Sequence, residues 1–272
     1  MWGQPPSAVR RAQLDSLVSD INLSWRGLRL SARLRHPTNT RTALTRAWSR
    51  QEVSSVKLVS LNVARPRLVV YNGKTINTGI FKQPVSGPVP LRTLNLDGDR
   101  QADLSVHGGP YKAVYAYPSE HYHFWRQELP GVELPWGMFG ENFTTLGLAE
   151  EHLHVGDRLQ IGSAIVMVRQ PRNPCYKLAV KFQREDILER FLLSGHSGFY
   201  FSVEQVGSVA VDDDFQLFSR NEDGITISEM NRLFVREKYN QDLLRKAIRT
   251  PALPEDWREY FSERINRPAV TT

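Results

Sequence analysis

The chain has 272 residues, of which 40% are hydrophobic and 24% charged, enough for one large domain or two. Its formal net charge is +6, but the excess lies in the first fifty residues, which hold nine arginines, no lysine and two aspartates. The remainder carries 26 basic against 27 acidic side chains, so the charge pattern argues against a nucleic-acid partner.

The single cysteine excludes an internal disulfide framework and fits a reducing compartment. No apolar run approaches the ~18 residues that a membrane span needs, and the first 24 residues lack the apolar centre of a secretory signal. We therefore expect a cytoplasmic protein without a membrane span.

Residues 1–52 are rich in arginine and serine and poor in acidic residues. This composition is typical of an organellar transit peptide, which would place the protein in mitochondria. It equally fits a disordered Arg-rich extension or upstream sequence included by a misassigned start codon. We exclude this segment from the predicted fold.

Short strand-like runs broken by turns predict a mainly β domain over residues 53–219. The first strand is expected at residues 56–63. The second, at 68–71, meets Asn72-Gly73, the dipeptide favoured in two-residue hairpin turns. Residues 88–94 read as extended, and Asp97-Gly98-Asp99 predicts the next turn.

Further along, residues 112–117 predict a strand, and Pro118 is expected at the first position of a helix that ends at Pro130-Gly131. Residues 157–161 and 164–169 predict a hairpin with its turn at Gly162-Ser163. A helix is expected over residues 186–193, with Gly195 as its cap. Residues 199–203 and 209–211 are the last strand candidates of the domain.

The only cysteine lies in Gln-Pro-Arg-Asn-Pro-Cys-Tyr-Lys at residues 170–177. Two prolines remove two amide donors and fix φ, so we expect a stiff loop that neither continues a helix nor runs through a central strand. The loop holds Cys175 beside Arg172 and Lys177, where positive charge favours a thiolate. The alternative is a buried structural cysteine, the commoner role of a lone thiol.

After residue 220 the pattern becomes helical and predicts a three-helix C-terminal module over residues 220–272. Thr226 and Glu229 form a capping box. Three apolar stripes follow, near residues 227–234, 243–248 and 257–265. The expected fold class is therefore mainly β (α+β), a β domain with peripheral helices followed by this module.

Three weaker motifs have simple structural interpretations. Residues 97–103 resemble a calcium loop only superficially, since the glycine stands second and no glutamate closes it, so we predict a turn. His121 and His123 fall on different faces of their predicted helix, which argues against joint metal chelation. His107-Gly108-Gly109 is either a turn or a place where backbone amides approach an anion.

A cysteine hydrolase would need a histidine to activate Cys175. His107 and His154 are candidates, but the sequence does not show which residue lies near the thiol. Delivery of Cys175 by a strand and a loop would also differ from the helix N-terminus that many such nucleophiles use.

Six segments in a fixed order together carry a resemblance: residues 78–85 (TGIFKQPV), 96–103 (LDGDRQAD), 106–109 (VHGG), 117–122 (YPSEHY), 139–142 (FGEN) and 170–177 (QPRNPCYK). The chain resembles the MOSC-domain family, specifically its YiiM-like branch, whose members carry a C-terminal three-helix module. The resemblance covers residues 56–265 and leaves the leader aside.

This resemblance implies a MOSC-type β-barrel that binds the molybdenum cofactor (Mo-molybdopterin), with Cys175 as the protein ligand to molybdenum. A soft thiolate suits a metal already held by dithiolene sulfurs. The implied phosphate contacts are Lys82, Lys112, Arg172 and the amides near Gly108 and Gly109. The other implied cofactor-site residues are His107, Glu141, Asn142, Asn173 and Tyr176.

The implied activity is reduction of small N-hydroxylated compounds, such as hydroxylaminopurine-type bases, to amines. One cysteine cannot hold an iron–sulfur cluster, and no haem or flavin motif is present in the sequence. The resemblance therefore implies a separate electron-donating reductase as partner. Two alternatives stay open: a carrier that holds the cofactor or a persulfide on Cys175, and a metal-independent cysteine hydrolase.

Overall fold

The structure is a computed structural model, and it describes residues 56–103 and 107–265. The expected extension at residues 1–52 lies outside the described residues. The described part is mixed α+β and rich in strands, which confirms the predicted class. Its strands are β1 (Lys57–Val63), β2 (Arg67–Tyr71), β3 (Lys74–Thr78), β4 (Gln83–Pro84), β5 (Val89–Leu91), β6 (Val114–Pro118), β7 (Phe143–Leu146), β8 (Arg158–Ile161), β9 (Ala164–Pro171), β10 (Phe199–Gln205), β11 (Gly207–Val209) and β12 (Phe215–Ser219).

Six α-helices accompany these strands in the described ranges. They are α1 (Glu120–Glu128), α2 (Tyr176–Phe182), α3 (Ile187–Ser194), α4 (Ile227–Val235), α5 (Gln241–Ile248) and α6 (Glu255–Ile265). A 3-10 turn, Pro110–Lys112, precedes β6. None of the helices between residues 56 and 265, the gap at 104–106 aside, has the length and apolar character needed to cross a membrane.

Eight strands form one sheet in the order β12-β8-β9-β10-β6-β7-β1-β4. Only the β6–β7 pair within it is parallel. The sheet curls so that the segment before β12 reaches β1: Leu58 N–H donates to Asp213 O at 3.0 Å, and Phe215 N–H donates to Val56 O at 2.8 Å. These bonds bring the β12 edge of the sheet against β1, as a barrel would require. In the described part of the chain, however, no continuous ladder of backbone bonds closes the predicted barrel.

Local turn chemistry produced the two predicted hairpins. Strands β2 and β3 pair in full register across Asn72 and Gly73, both at positive φ (49° and 73°), as a two-residue turn requires. Strands β8 and β9 pair from Ile161 opposite Ala164. Helix α3 ends, as predicted, at Gly195 in the left-handed conformation.

Two expectations about proline were wrong. Pro118 is the last residue of β6 rather than the first of a helix, and α1 begins at Glu120 after Ser119. Pro171 pairs with Phe199 at the end of β9, an interior strand, so the segment 170–177 does not lie wholly in a loop. At a strand end the missing proline amide costs little, because few ladder bonds remain to be made there.

The C-terminal helices begin where the sequence predicts. Thr226 accepts from Glu229 N–H while the Glu229 side chain accepts from Thr226 N–H, forming the expected capping box. The helices bury Met230, Phe234 and Trp257 in the same hydrophobic cluster as the strands of the sheet. The chain therefore changes from mainly strands to helices near residue 220, but the strands and the C-terminal helices share one hydrophobic core.

Candidate functional site

A cavity opens where β3, β6, β10 and the segment that follows β9 approach one another. Its lining residues come from distant parts of the sequence: Thr78, Gly79, Ile80, Lys82, Arg100, Gln101, Ala102, His107, Gly108, Lys112, Tyr115, Gly140, Asn142, Arg172, Asn173, Cys175, Lys177 and Tyr200.

Cys175 lines this cavity and is partly accessible, so it is not sealed in the hydrophobic core. It is the N-cap residue of α2, with extended φ and ψ of −122° and 166°. Its carbonyl oxygen accepts from Leu178 N–H at 2.8 Å, which starts the helix. The expectation that Cys175 is presented by a loop remote from any helix start was therefore wrong, because the sequence analysis did not detect α2.

Arg172 is a buried cation in the wall beside Cys175. Its guanidinium lies 4.9 Å from the Tyr115 ring centre and 5.2 Å from that of Phe191, and its Nη1 has no hydrogen-bond partner in the described residues. Burial acts to lower the pKa of Arg172, but Tyr115, Tyr200 and Cys175 outweigh it and hold the pKa above its usual value. The side chain is thus charged and incompletely satisfied.

His107 presents a second polar atom without a partner in the described residues, since its Nδ1 is buried and makes no hydrogen bond. Burial, followed by the charges of Lys177 and Lys112, lowers its pKa to about 4. Its imidazole is therefore neutral at pH 7. One ring nitrogen can accept and the other can donate, depending on the tautomer.

Lys82 lines the cavity and forms an ion pair with the buried carboxylate of Asp99. Its ammonium donates to Asp99 at 2.5 and 2.6 Å, and Asp99 also accepts from Asn142 Nδ2 at 3.0 Å and from Ala64 N–H at 2.8 Å. Burial lowers the pKa of Lys82, while Asp99 opposes that shift. The expected phosphate contact of Lys82 therefore competes with a buried carboxylate that the sequence analysis treated only as part of a turn.

Three predicted cofactor-site residues do not line the cavity: Gly109, Glu141 and Tyr176. Tyr176 is 54% exposed. Glu141 is fully buried and accepts from Tyr122 Oη at 2.5 Å, Gly137 N–H at 2.7 Å and Phe139 N–H at 3.1 Å. Burial raises its pKa despite these bonds. Its role in the structure is to hold the loop from which Asn142 reaches the cavity.

Four further residues line the cavity that no sequence motif assigns to the site: Tyr115, Tyr200, Arg100 and Lys177. Tyr115 and Tyr200 stand opposite each other across β6 and β10, with ring centres 5.3 Å apart. That pairing depends on long-range strand register, which no local motif indicates. Lys177 was named only as a neighbour of Cys175.

The cavity's charged lining is entirely basic: Lys82, Arg100, Lys112, Arg172 and Lys177 contribute, and no described carboxylate lines it. The described residues hold no group of three or more His, Cys, Asp or Glu side chains that could bind a bare metal ion. One accessible thiol, a wholly basic charged lining and two unpartnered buried polar atoms suit an anionic ligand that brings its own metal. These residues therefore fit the molybdenum cofactor that the family resemblance implies.

Comparisons with known proteins agree with the resemblance. Residues 103–216 match the MOSC domain, and residues 225–267 match the YiiM-like, 3-alpha helix domain. Uncharacterized protein YflK of Bacillus subtilis is 41% identical over 80% of this chain and 97% of its own length. Protein YiiM of Escherichia coli is 36% identical over 69% of this chain and 84% of its own.

A fungal protein named "Reductase", from Gibberella moniliformis, is 30% identical over 66% of this chain but only 32% of its own length. Among solved structures, that of YiiM from Geobacillus stearothermophilus superposes with a TM-score of 0.65 at 35% identity, covering 77% of this chain and 99% of that one. The chain belongs to the MOSC-domain family, in its YiiM-like branch.

Proposed function

We propose that this protein is a molybdenum-cofactor-dependent reductase that converts N-hydroxylated compounds, such as hydroxylaminopurine-type bases, to amines. The observation that carries the proposal is the Cys175 thiol opening into a cavity whose charged lining is wholly basic, in a chain of the MOSC-domain family. Cys175 Sγ is the protein ligand to molybdenum in this proposal.

The chain's own residues bind and orient the two ligands. Arg172 and Lys177, both buried beside Cys175, anchor the anionic cofactor, and Lys112 adds charge at the same wall. His107, neutral at pH 7, offers a hydrogen bond to a polar group of cofactor or substrate. Tyr115 and Tyr200 form an aromatic wall against which a planar base can stack.

The bound cofactor supplies two-electron reduction at a metal held by sulfur ligands. The reaction is R–NH–OH with two electrons and two protons going to R–NH₂ and water: the N–O bond breaks and the oxygen leaves as water. The sequence offers no ligand set for a haem or iron–sulfur cluster, so a separate reductase supplies the electrons. The relative named "Reductase" supports an oxidoreductase assignment.

The test is to purify the full chain from a host that makes the cofactor, and to measure molybdenum, pterin and hydroxylaminopurine reduction with an artificial electron donor. We expect close to one molybdenum per chain and turnover in the wild type. Cys175→Ser should lose turnover and most of the molybdenum while keeping the urea unfolding midpoint of the cofactor-free wild type. Full activity in Cys175→Ser would reject the proposal.

Two other outcomes separate the alternative functions. Bound pterin without turnover, but with transfer of the cofactor to an apo-enzyme, would indicate a carrier. Hydrolytic activity that survives removal of molybdenum and is abolished by thiol alkylation would indicate a cysteine hydrolase.

A further inference from the structure

A second, open depression adjoins the cavity and is lined by Arg65, Pro66, Gly98 and Arg100. Arg100 lines both the depression and the cavity, so the two spaces meet at its side chain. Any ligand that fills the cavity and projects outward past Arg100 therefore encounters two guanidinium groups.

Neither arginine makes an ion pair with any carboxylate of the described residues. Arg100 Nη1 donates to the Asp99 carbonyl oxygen at 3.2 Å. The exposed carboxylate of Asp97, three residues before Arg100, is bound by Arg92, whose Nη2 lies 2.9 Å from Oδ2. Most of the guanidinium donors of Arg65 and Arg100 thus have no acceptor from the described protein.

The backbone that carries these side chains is firmly braced. Arg100 N–H donates to Ala64 O at 2.9 Å, and Ala64 N–H donates to the buried Asp99 carboxylate at 2.8 Å. On the other side, a Cβ placed on Gly79 would lie 2.5 Å from Arg100 O, so only glycine allows this approach. The two loops are therefore held together, and the arginines are presented from a fixed scaffold.

We propose that Arg65 and Arg100 bind a phosphoryl group carried by the substrate, so that the enzyme acts on N-hydroxylated nucleoside monophosphates rather than on free bases. Two guanidinium forks match a phosphate in charge and geometry. Under the proposed function the cofactor's own phosphate is held by other cations, Arg172 and Lys177, which are buried. The inference rests on the proposed function for the chemistry, but its binding test does not require turnover.

The experiment measures binding of adenosine 5′-monophosphate and of adenosine to the purified, cofactor-loaded full chain by isothermal titration calorimetry. We expect the monophosphate to bind at least about tenfold more tightly than adenosine. Arg65→Ala and Arg100→Ala should each remove roughly tenfold or more of the monophosphate affinity. Arg65→Ala, at a position outside the cavity lining, should leave adenosine binding unchanged. Arg245→Ala, which removes an exposed arginine paired with Asp242 on α5, is the matched control and should behave as wild type.

Equal affinity for adenosine and its monophosphate would overturn the inference, as would unchanged monophosphate binding in both arginine variants. A fall in molybdenum and pterin content in Arg65→Ala or Arg100→Ala would assign these arginines to the cofactor's phosphate instead, and would also overturn it. Arginine-dependent monophosphate binding by a protein that reduces no N-hydroxylated compound would uphold the phosphate site and reject the proposed function alone.

Discussion

At the scale of single residues, Asp99 is the buried charge on which the cavity wall depends. It is fully buried and accepts hydrogen bonds from Lys82, Asn142 and the amide of Ala64. Two of those donors, Lys82 and Asn142, themselves line the cavity. A buried ion pair is a weak source of net stability, but removing one member leaves an uncompensated charge. Asp99 therefore fixes the position of two cavity-lining residues without lining the cavity itself.

Replacing Asp99 with asparagine should destabilise the protein by about 3–5 kcal/mol, because Lys82 would keep its burial and lose its counter-ion. Deprotonation of Lys82 limits this cost, since burial already lowers its pKa. Urea unfolding at pH 7 measures the change. Asp97→Asn is the matched control: this exposed carboxylate pairs with Arg92, and its loss should leave the midpoint almost unchanged. Similar midpoints for both variants would contradict the assigned role.

At the scale of elements, a histidine–carboxylate contact joins α1 to the turn before β10. His121 Nε2 lies 2.7 Å from Glu150 Oε2, and Glu150 Oε1 accepts from Gly198 N–H at 2.8 Å. His196 stacks on His121 with ring centres 4.0 Å apart. Burial, then the His121 charge, lowers the pKa of His196 to about 4. The folded structure therefore keeps the His196 imidazole neutral between about pH 4 and about pH 6.5, a range in which the unfolded chain would protonate it.

This arrangement predicts a loss of stability in mild acid. The folded pKa of His196 lies below its unfolded value of about 6.5, so the unfolded state binds the extra proton as pH falls from about 6.5 to about 4. The contribution is complete above pH 6.5 and is lost progressively below it. The slope from His196 is at most about 1.4 kcal/mol per pH unit, and less because the ring keeps some solvent contact.

Urea unfolding between about pH 7 and about pH 4.5 tests whether the free energy of unfolding falls in mild acid, as this pKa shift predicts. His196→Phe, which can keep the stacking on His121, should flatten the dependence without abolishing it, because His107 behaves similarly. His123→Gln, on the same helix as His121 but exposed, is the control for removing an imidazole. A steeper acid loss in His196→Phe than in wild type would show that the assigned shift has the wrong sign.

Elements governed by neighbours in sequence were predictable, and those governed by distant contacts were not. The Asn72-Gly73 turn and the Thr226 cap follow from local dihedral preferences and local hydrogen bonds. The Lys82–Asp99 pair forms only when two loop residues 17 positions apart meet, and the Tyr115–Tyr200 wall forms only when β6 and β10 come into register. Helix α2 was missed because two prolines next to Cys175 suggested a loop, whereas a proline just before a helix is well tolerated. For the candidate site, the motif at residues 170–177 was enough to predict Cys175. Most of the other cavity-lining residues come together only in the folded chain.

At the scale of the whole molecule, the sheet and the C-terminal helices are continuous. Val155 N–H donates to Ile225 O at 2.9 Å, and Ile227 N–H donates to Leu153 O at 3.0 Å, so the first helix of the module is tied to the β domain by backbone bonds. Arg169 on β9 also donates to the Ala252 carbonyl oxygen at 2.9 Å. Because strands and helices also share one hydrophobic cluster, we expect residues 56–265 to unfold as one cooperative unit.

Phe234→Ala tests that expectation. Phe234 is 2% exposed and its ring lies 5.8 Å from that of Trp257, so its truncation should cost about 3–5 kcal/mol. If the core is shared, hydrogen-exchange protection should fall equally in the helices and in strands β9 and β10, and fluorescence and circular dichroism should report one urea transition. Phe218→Ala, at a 57% exposed position on β12, is the matched control and should change neither. Protection lost only in α4 to α6 would instead show that the module unfolds independently. The candidate site, built on β9 and β10, would then be insulated from changes in the helices.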